Sequence, residues 1–168
     1  MSVRTGDRKE GKLDVLRLAT ELCAYTLGLC KNEKVFPKSN RWILTQKISN
    51  ECVDALACIR RANATLITGG EEGKDLFRYR YMQQAEAHAH LGALYALADI
   101  AYAMCPVGDR ISHWVKLIAE TDDKLKAWMR ANKIMYAEKQ KNEKRGCPCE
   151  PGTGGSGLPT RMPTTSAT

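Results

Sequence analysis

A chain of 168 residues with 26 Lys and Arg against 19 Asp and Glu carries a formal charge of +7, which favours anionic partners and leaves nucleic acid, acidic protein and membrane surface open. The length suits one domain with a folding unit of roughly 110 to 140 residues. Apolar residues nowhere continue for the roughly 18 positions that span a bilayer, and no N-terminal run joins a basic segment, an apolar stretch and a cleavage site, so a soluble cytoplasmic protein is expected.

Residues 1–11, with Arg4, Asp7, Arg8, Lys9, Glu10 and two glycines, read as a flexible N-terminus. Helical periodicity then begins. Residues 12–31 place Leu16, Leu18, Leu22, Tyr25 and Leu29 on a broad apolar face, with Cys23, Leu27 and Cys30 one step round. At Phe36-Pro37-Lys38, proline holds φ near the helical value and lacks the N–H that a first turn leaves unpaired, which starts a second helix near Lys38. That helix is expected over residues 38–66, where Leu44, Ile48, Ala55, Ile59, Ala62 and Leu66 recur at steps of four, seven, four, three and four, the spacing of a bundle seam.

Thr68-Gly69-Gly70 stops it, and after Gly73 a third helix is expected over residues 75–104. Phe77, Tyr81, His88, Leu91, Tyr95, Ala98 and Tyr102 lie on one side of it, with Leu94, Leu97, Ala101 and Met104 beside them. Cys105-Pro106-Val107-Gly108 breaks that helix, and a fourth begins near Asp109, carrying Ile111, Val115, Ile118, Leu125, Trp128 and Tyr136 before polarity rises past Ala137. Four helices joined by short breaks predict an all-α, up-down four-helix bundle over residues 12–145. From Gly146 onward, four prolines, five glycines and many Ser and Thr surround Leu158, so residues 146–168 are expected to form a disordered tail.

Of the seven cysteines, Cys23, Cys30, Cys52, Cys58 and Cys105 fall among apolar helical positions, where a reduced thiol acts as a small hydrophobe. Cys147-Pro148-Cys149 lacks the spacing of a zinc half-site and has no companion pair. A metal-binding bundle needs Glu-x-x-His pairs on two helices; Glu86 and His90 lie one turn apart, but no second pair exists and His88 falls on another face. The Gly69-Gly70-Glu71-Glu72-Gly73-Lys74-Asp75 turn lacks the spacing, the Ser or Thr after Lys and the preceding strand of a phosphate-binding loop. His113 beside Trp114 has no nucleophile to act on. No catalytic residue, cofactor or metal ligand is expected.

Basic surface remains. Lys126, Arg130 and Lys133 repeat at steps of four and three, and Lys141 and Lys144 extend the same side, so phosphates could follow a row of cations. The alternative is a solvated face partly neutralised by Asp122 and Asp123. Arg60 with Arg61, and Lys38 with Arg41, add charge to the second helix. Arg78-Tyr79-Arg80-Tyr81 interleaves cations and aromatics, but on a helix Arg78 and Arg80 point about 200° apart and form no single platform.

The Phe36-Pro37-Lys38 entry, Arg41, Leu44 and Ile48, the Ala-rich third helix, and a fourth helix with Trp114 and Trp128 resemble a known four-helix-bundle family. It includes ribosomal RNA intervening-sequence proteins and the accessory variability determinant proteins of diversity-generating retroelements. The likeness covers roughly residues 13–133. Ala62-Asn63-Ala64-Thr65-Leu66 stands where intervening-sequence members carry an Asn-Ile-Ala-Glu-Gly-like turn, which brings the retroelement branch closer. The resemblance implies a bacterial or phage-encoded homopentameric barrel that binds the retroelement's reverse transcriptase and template RNA, a non-catalytic partner in mutagenic cDNA synthesis. The competing expectation is a helical-bundle module that binds only protein.

Overall fold

The computed structural model describes residues 10–68 and 70–145; the N-terminal residues 1–9 and the tail expected over 146–168 lie outside it. Four long helices account for most of the described chain: α1 (Glu10–Lys31), α2 (Gln46–Ala64), α3 (Gly70–Met104) and α4 (Arg110–Arg145). A 3₁₀ turn (Lys38–Asn40) and a π-helical segment (Arg41–Thr45) lead into α2.

Each helix packs against its chain neighbours, and α1 closes the ring against α4. Cross-contacts give the directions. Cys30 meets the Thr45 carbonyl and Arg60 meets Thr20; Arg61 meets Gln83 and His90 meets Glu51; His88 meets Asp122 and Phe77 stacks on Tyr136; Lys124 meets Asp14 and Trp114 meets Thr26. All four neighbouring pairs are therefore antiparallel, as an up-down bundle with short connections requires.

The core is a set of seams with alternating steps of three and four residues: Val15, Ala19, Leu22, Thr26 and Leu29 on α1; Ile48, Cys52, Ala55, Ile59 and Ala62 on α2; Trp114, Ile118, Thr121, Leu125, Trp128 and Asn132 on α4. This is the spacing of helices crossing at a shallow angle. Leu66 leaves the expected seam, because α2 ends at Ala64 and Thr65 is extended (φ −71°, ψ 116°), so Leu66 is 75% exposed.

On α3 the buried line is Arg80, Gln84, Ala87, Leu91, Leu94, Ala98, Ala101 and, just past the helix, Cys105. Of the side expected to be apolar, Leu91 and Ala98 lie on this line, as do Leu94 and Ala101 from beside it; Phe77, Tyr81, His88, Tyr95 and Tyr102 flank it, and Tyr95, Tyr102 and Met104 are exposed. The third helix also starts one turn earlier than expected, with Gly73 inside it.

At one end of the bundle Phe36 closes the core edge-to-face on Trp114, with ring centroids 6.5 Å apart. The Trp114 indole N–H donates to Thr26 Oγ1 at 2.9 Å, so its one polar group is satisfied in full burial. Asn32 caps the turn before it, its carbonyl accepting from the Val35 and Phe36 amides. The α3–α4 turn is made by Gly108 at φ +56°, a backbone state that glycine adopts without a Cβ penalty.

The opposite end is uneven. Continuing the Asp14–Lys124 register brings Glu10 level with Trp128, so among the described residues α4 runs on beyond α1. There α4 pairs with the start of α3 and the loop before it: Phe77 stacks on Tyr136 and Lys139 Nζ donates to the Ile67 carbonyl at 2.9 Å. No helix among the described residues is long and apolar enough to cross a membrane.

Candidate nucleic-acid interface

From Lys126 onward, α4 carries the cationic row, most of it on the part that runs beyond α1. At 100° per residue, Lys126, Arg130, Lys133 and Lys141 fall within an arc of about 80°, on the side away from the α4 seam. Arg130 and Lys141 are exposed and make no hydrogen bond or ion pair to another described residue. Lys133 lies 4.7 Å from the Tyr81 ring centroid, a cation–π contact that holds the ammonium against α3 while leaving it wet. The side chain of Lys144 lies outside the described residues.

Lys126 differs. Its ammonium meets Asp122 at 2.6 Å, and the same carboxylate takes His88 Nδ1 at 2.6 Å. The Asp122 bond raises the Lys126 pKa, so this charge is already spoken for inside a bridge between α3 and α4. The neutralisation expected from the acidic pair thus falls on Lys126, and the open part of the row is Arg130, Lys133 and Lys141.

The other candidate cations do not join that row. Arg60 is exposed and reaches Thr20 Oγ1 at 3.3 Å; Arg61 donates to Gln83 Oε1 at 3.0 Å, bracing α2 on α3. Lys38 and Arg41 share Glu33 at 3.3 and 3.7 Å at the other end of the bundle. Arg78 is exposed on α3.

Arg80 requires a correction. It is 6% exposed, its guanidinium lies 5.1 Å from the Trp128 ring centroid, and its Nε has no hydrogen-bond partner among the described residues. Burial lowers its pKa. The heptad seam, not the surface, takes this position, so Arg80 contacts no external strand.

Glu86, His88 and His90 also separate: Glu86 accepts from Gln83 at 2.8 Å, while the two histidines pair with Asp122 and Glu51 on different helices. Among the described residues no three His, Cys, Asp or Glu side chains converge as a metal site. Cys23, Cys30, Cys52, Cys58 and Cys105 are free thiols, and burial pushes the Cys52 thiol up to about 12.

Trp42 is the residue that periodicity overlooks. It is 74% exposed beside Arg41 and Ile43, and only its place off the seam, among cations, hints at a surface role. No protein-family model, curated protein or solved structure matches this chain.

Proposed function

We propose that this protein is a non-catalytic nucleic-acid- and polymerase-binding adaptor, an accessory component of a diversity-generating retroelement that assembles as a homopentamer. The family resemblance supplies the retroelement, the reverse transcriptase, the template RNA and the fivefold assembly. The observation that carries nucleic-acid binding is the row of Arg130, Lys133 and Lys141, presented on a part of α4 that runs on beyond α1 and is braced by the start of α3. Cations displayed in this way exchange condensed counterions for phosphates.

The test is charge reversal of Arg130, Lys133 and Lys141 to Glu together, read by RNA affinity across a salt series and by the mass of the native assembly. Lys126 is left intact because its reversal would also break the bridge through Asp122. Wild-type affinity should fall steeply between about 50 and 200 mM salt, and the reversed protein should lose most of that binding while keeping its helicity. Unchanged binding would remove the row from the function.

A second reading, a bundle that binds only protein, draws on Ile100, Tyr102 and Met104, all exposed near the end of α3. An apolar contact there would be nearly indifferent to salt, which separates the two.

A further inference from the structure

The π-helical segment does something that a continuous helix would not. Extending the α2 seam back seven residues from Ile48 places Arg41 on the core line, yet Leu44 and Thr45 are the buried pair, and Arg41, Trp42 and Ile43 all face solvent. A π turn spreads extra chain over one revolution and re-aims the side chains before it. The segment is anchored by Asn40, whose Nδ2 lies 3.2 Å from Cys105 Sγ, and by Thr45 Oγ1 donating to the Asn40 carbonyl at 3.4 Å.

The result is a shallow groove of about 310 Å³ between the end of α1 and the start of α2. Its apolar surface comes from Leu27, Cys30 and Trp42; Lys31 and Arg41 stand at its edges, with the Gln46 amide beside them. The surroundings are one-sided in charge: residues 31–47 hold five cations, Lys31, Lys34, Lys38, Arg41 and Lys47, against the single acid Glu33. Glu33 engages Lys38 and Arg41, and Lys31, Lys34 and Lys47 make no ion pair to another described residue.

We propose that this groove binds a single-stranded RNA segment, with a base stacked on the Trp42 indole and the flanking phosphates held by Lys31 and Arg41. Resting on the nucleic-acid reading above, this adds a second contact at the opposite end of the bundle from the α4 row and specifies the form of RNA. An exposed indole in a field of cations matches a strand whose bases are available for stacking. A duplex hides those faces and offers only its backbone.

The experiment titrates the full-length wild type, Trp42→Ala and Trp42→Phe with a single-stranded oligouridylate, a duplex RNA and poly-glutamate, following tryptophan fluorescence and affinity. Trp114 and Trp128 are buried, so quenching by a stacked base reports on Trp42. Oligouridylate should quench the wild type. Trp42→Ala and Trp42→Phe should both lose the quenching with the indole, while Trp42→Ala weakens binding about 5- to 150-fold, the range of one base–aromatic stack, and Trp42→Phe binds with an affinity between the two. Because Trp42 is exposed, circular dichroism of the variants should be unchanged.

Wild-type RNA binding that Trp42→Ala leaves intact would overturn this inference and spare the adaptor reading. So would equal quenching by duplex RNA, or by poly-glutamate, which would assign the groove to an acidic protein. A wild type that binds no RNA would overturn both.

Discussion

The rings of Phe77 and Tyr136 stack with centroids 4.0 Å apart and planes 4° from parallel, joining the first turns of α3 to the last third of α4. Tyr81 continues the aromatic line 6.3 Å from Phe77 and takes Lys133 on its face. The cations are displayed where α4 has fewer helical neighbours, so their placement rests on this aromatic line.

Tyr136→Ala should therefore act at a distance from charge. The stack is worth about 0.5–1.5 kcal/mol beyond the area it buries, and its loss should raise amide exchange along the end of α4 while leaving the Trp114 end protected. RNA affinity should fall although every cation remains. Hydrogen-exchange mass spectrometry reads the first effect; an unchanged exchange pattern would show that α4 holds itself.

Two glycines on α3 should respond in opposite directions to alanine. A Cβ at Gly73 would overlap the Thr68 carbonyl, whereas one at Gly92 meets nothing within 4 Å. Alanine normally favours a helix interior by about 1 kcal/mol over glycine. Gly92→Ala should realise that gain; Gly73→Ala should instead cost about 1–3 kcal/mol, as overpacking does. Thermal melts of the pair decide it, and a stabilised Gly73→Ala would mean that the 65–68 loop yields freely.

Helix number, order and most of the core were legible because α1, α2 and α4 seat apolar side chains at steps of three and four. Polar residues hid the seam of α3: Arg80 and Gln84 occupy buried heptad positions, so the visible apolar pattern shifted to the flanking aromatics. The π segment was hidden for another reason, since one turn of altered pitch leaves no periodicity to read. In the cationic row, the Asp122–Lys126 pair is local and could be anticipated, whereas the Tyr81–Lys133 contact and the burial of Arg80 under Trp128 depend on where α3 meets α4.

Alkaline stability should carry the signature of Cys52. Burial chiefly, with neighbouring Cys23 adding to it against a hydrogen bond from Thr26, raises its thiol to about 12, while an unfolded thiol titrates at about 8.5. Below that value both states hold the proton and pH has no leverage. Above it the unfolded chain binds fewer protons, so stability falls with rising pH until the folded thiol itself ionises, by up to about 1.4 kcal/mol per pH unit. Urea midpoints between pH 8 and 10.5 should decline less steeply in Cys52→Ala than in the wild type. Parallel slopes would show that the Cys52 thiol does not contribute to the decline.

The sharpest stability test is Gln84. Its side chain is fully buried in the α3 seam, and neither amide atom has a hydrogen-bond partner among the described residues. Arg80 Nε, one turn earlier on α3, and Asn132 Nδ2, buried on α4, also lack one there. An orphaned polar group costs about 1–3 kcal/mol, and removing it costs nothing further when the replacement fills the same space. The next seam positions along α3, Ala87 and Leu91, are apolar and offer a leucine side chain contacts that the amide cannot use. Gln84→Leu should therefore raise the unfolding free energy by about 1–3 kcal/mol. A denaturant titration of the variant beside the wild type measures the difference directly. A loss of stability would mean that ordered water links the Gln84 amide to Arg80 and Asn132, and that the three side chains form a satisfied polar layer which sets the pairing of α3 with α4.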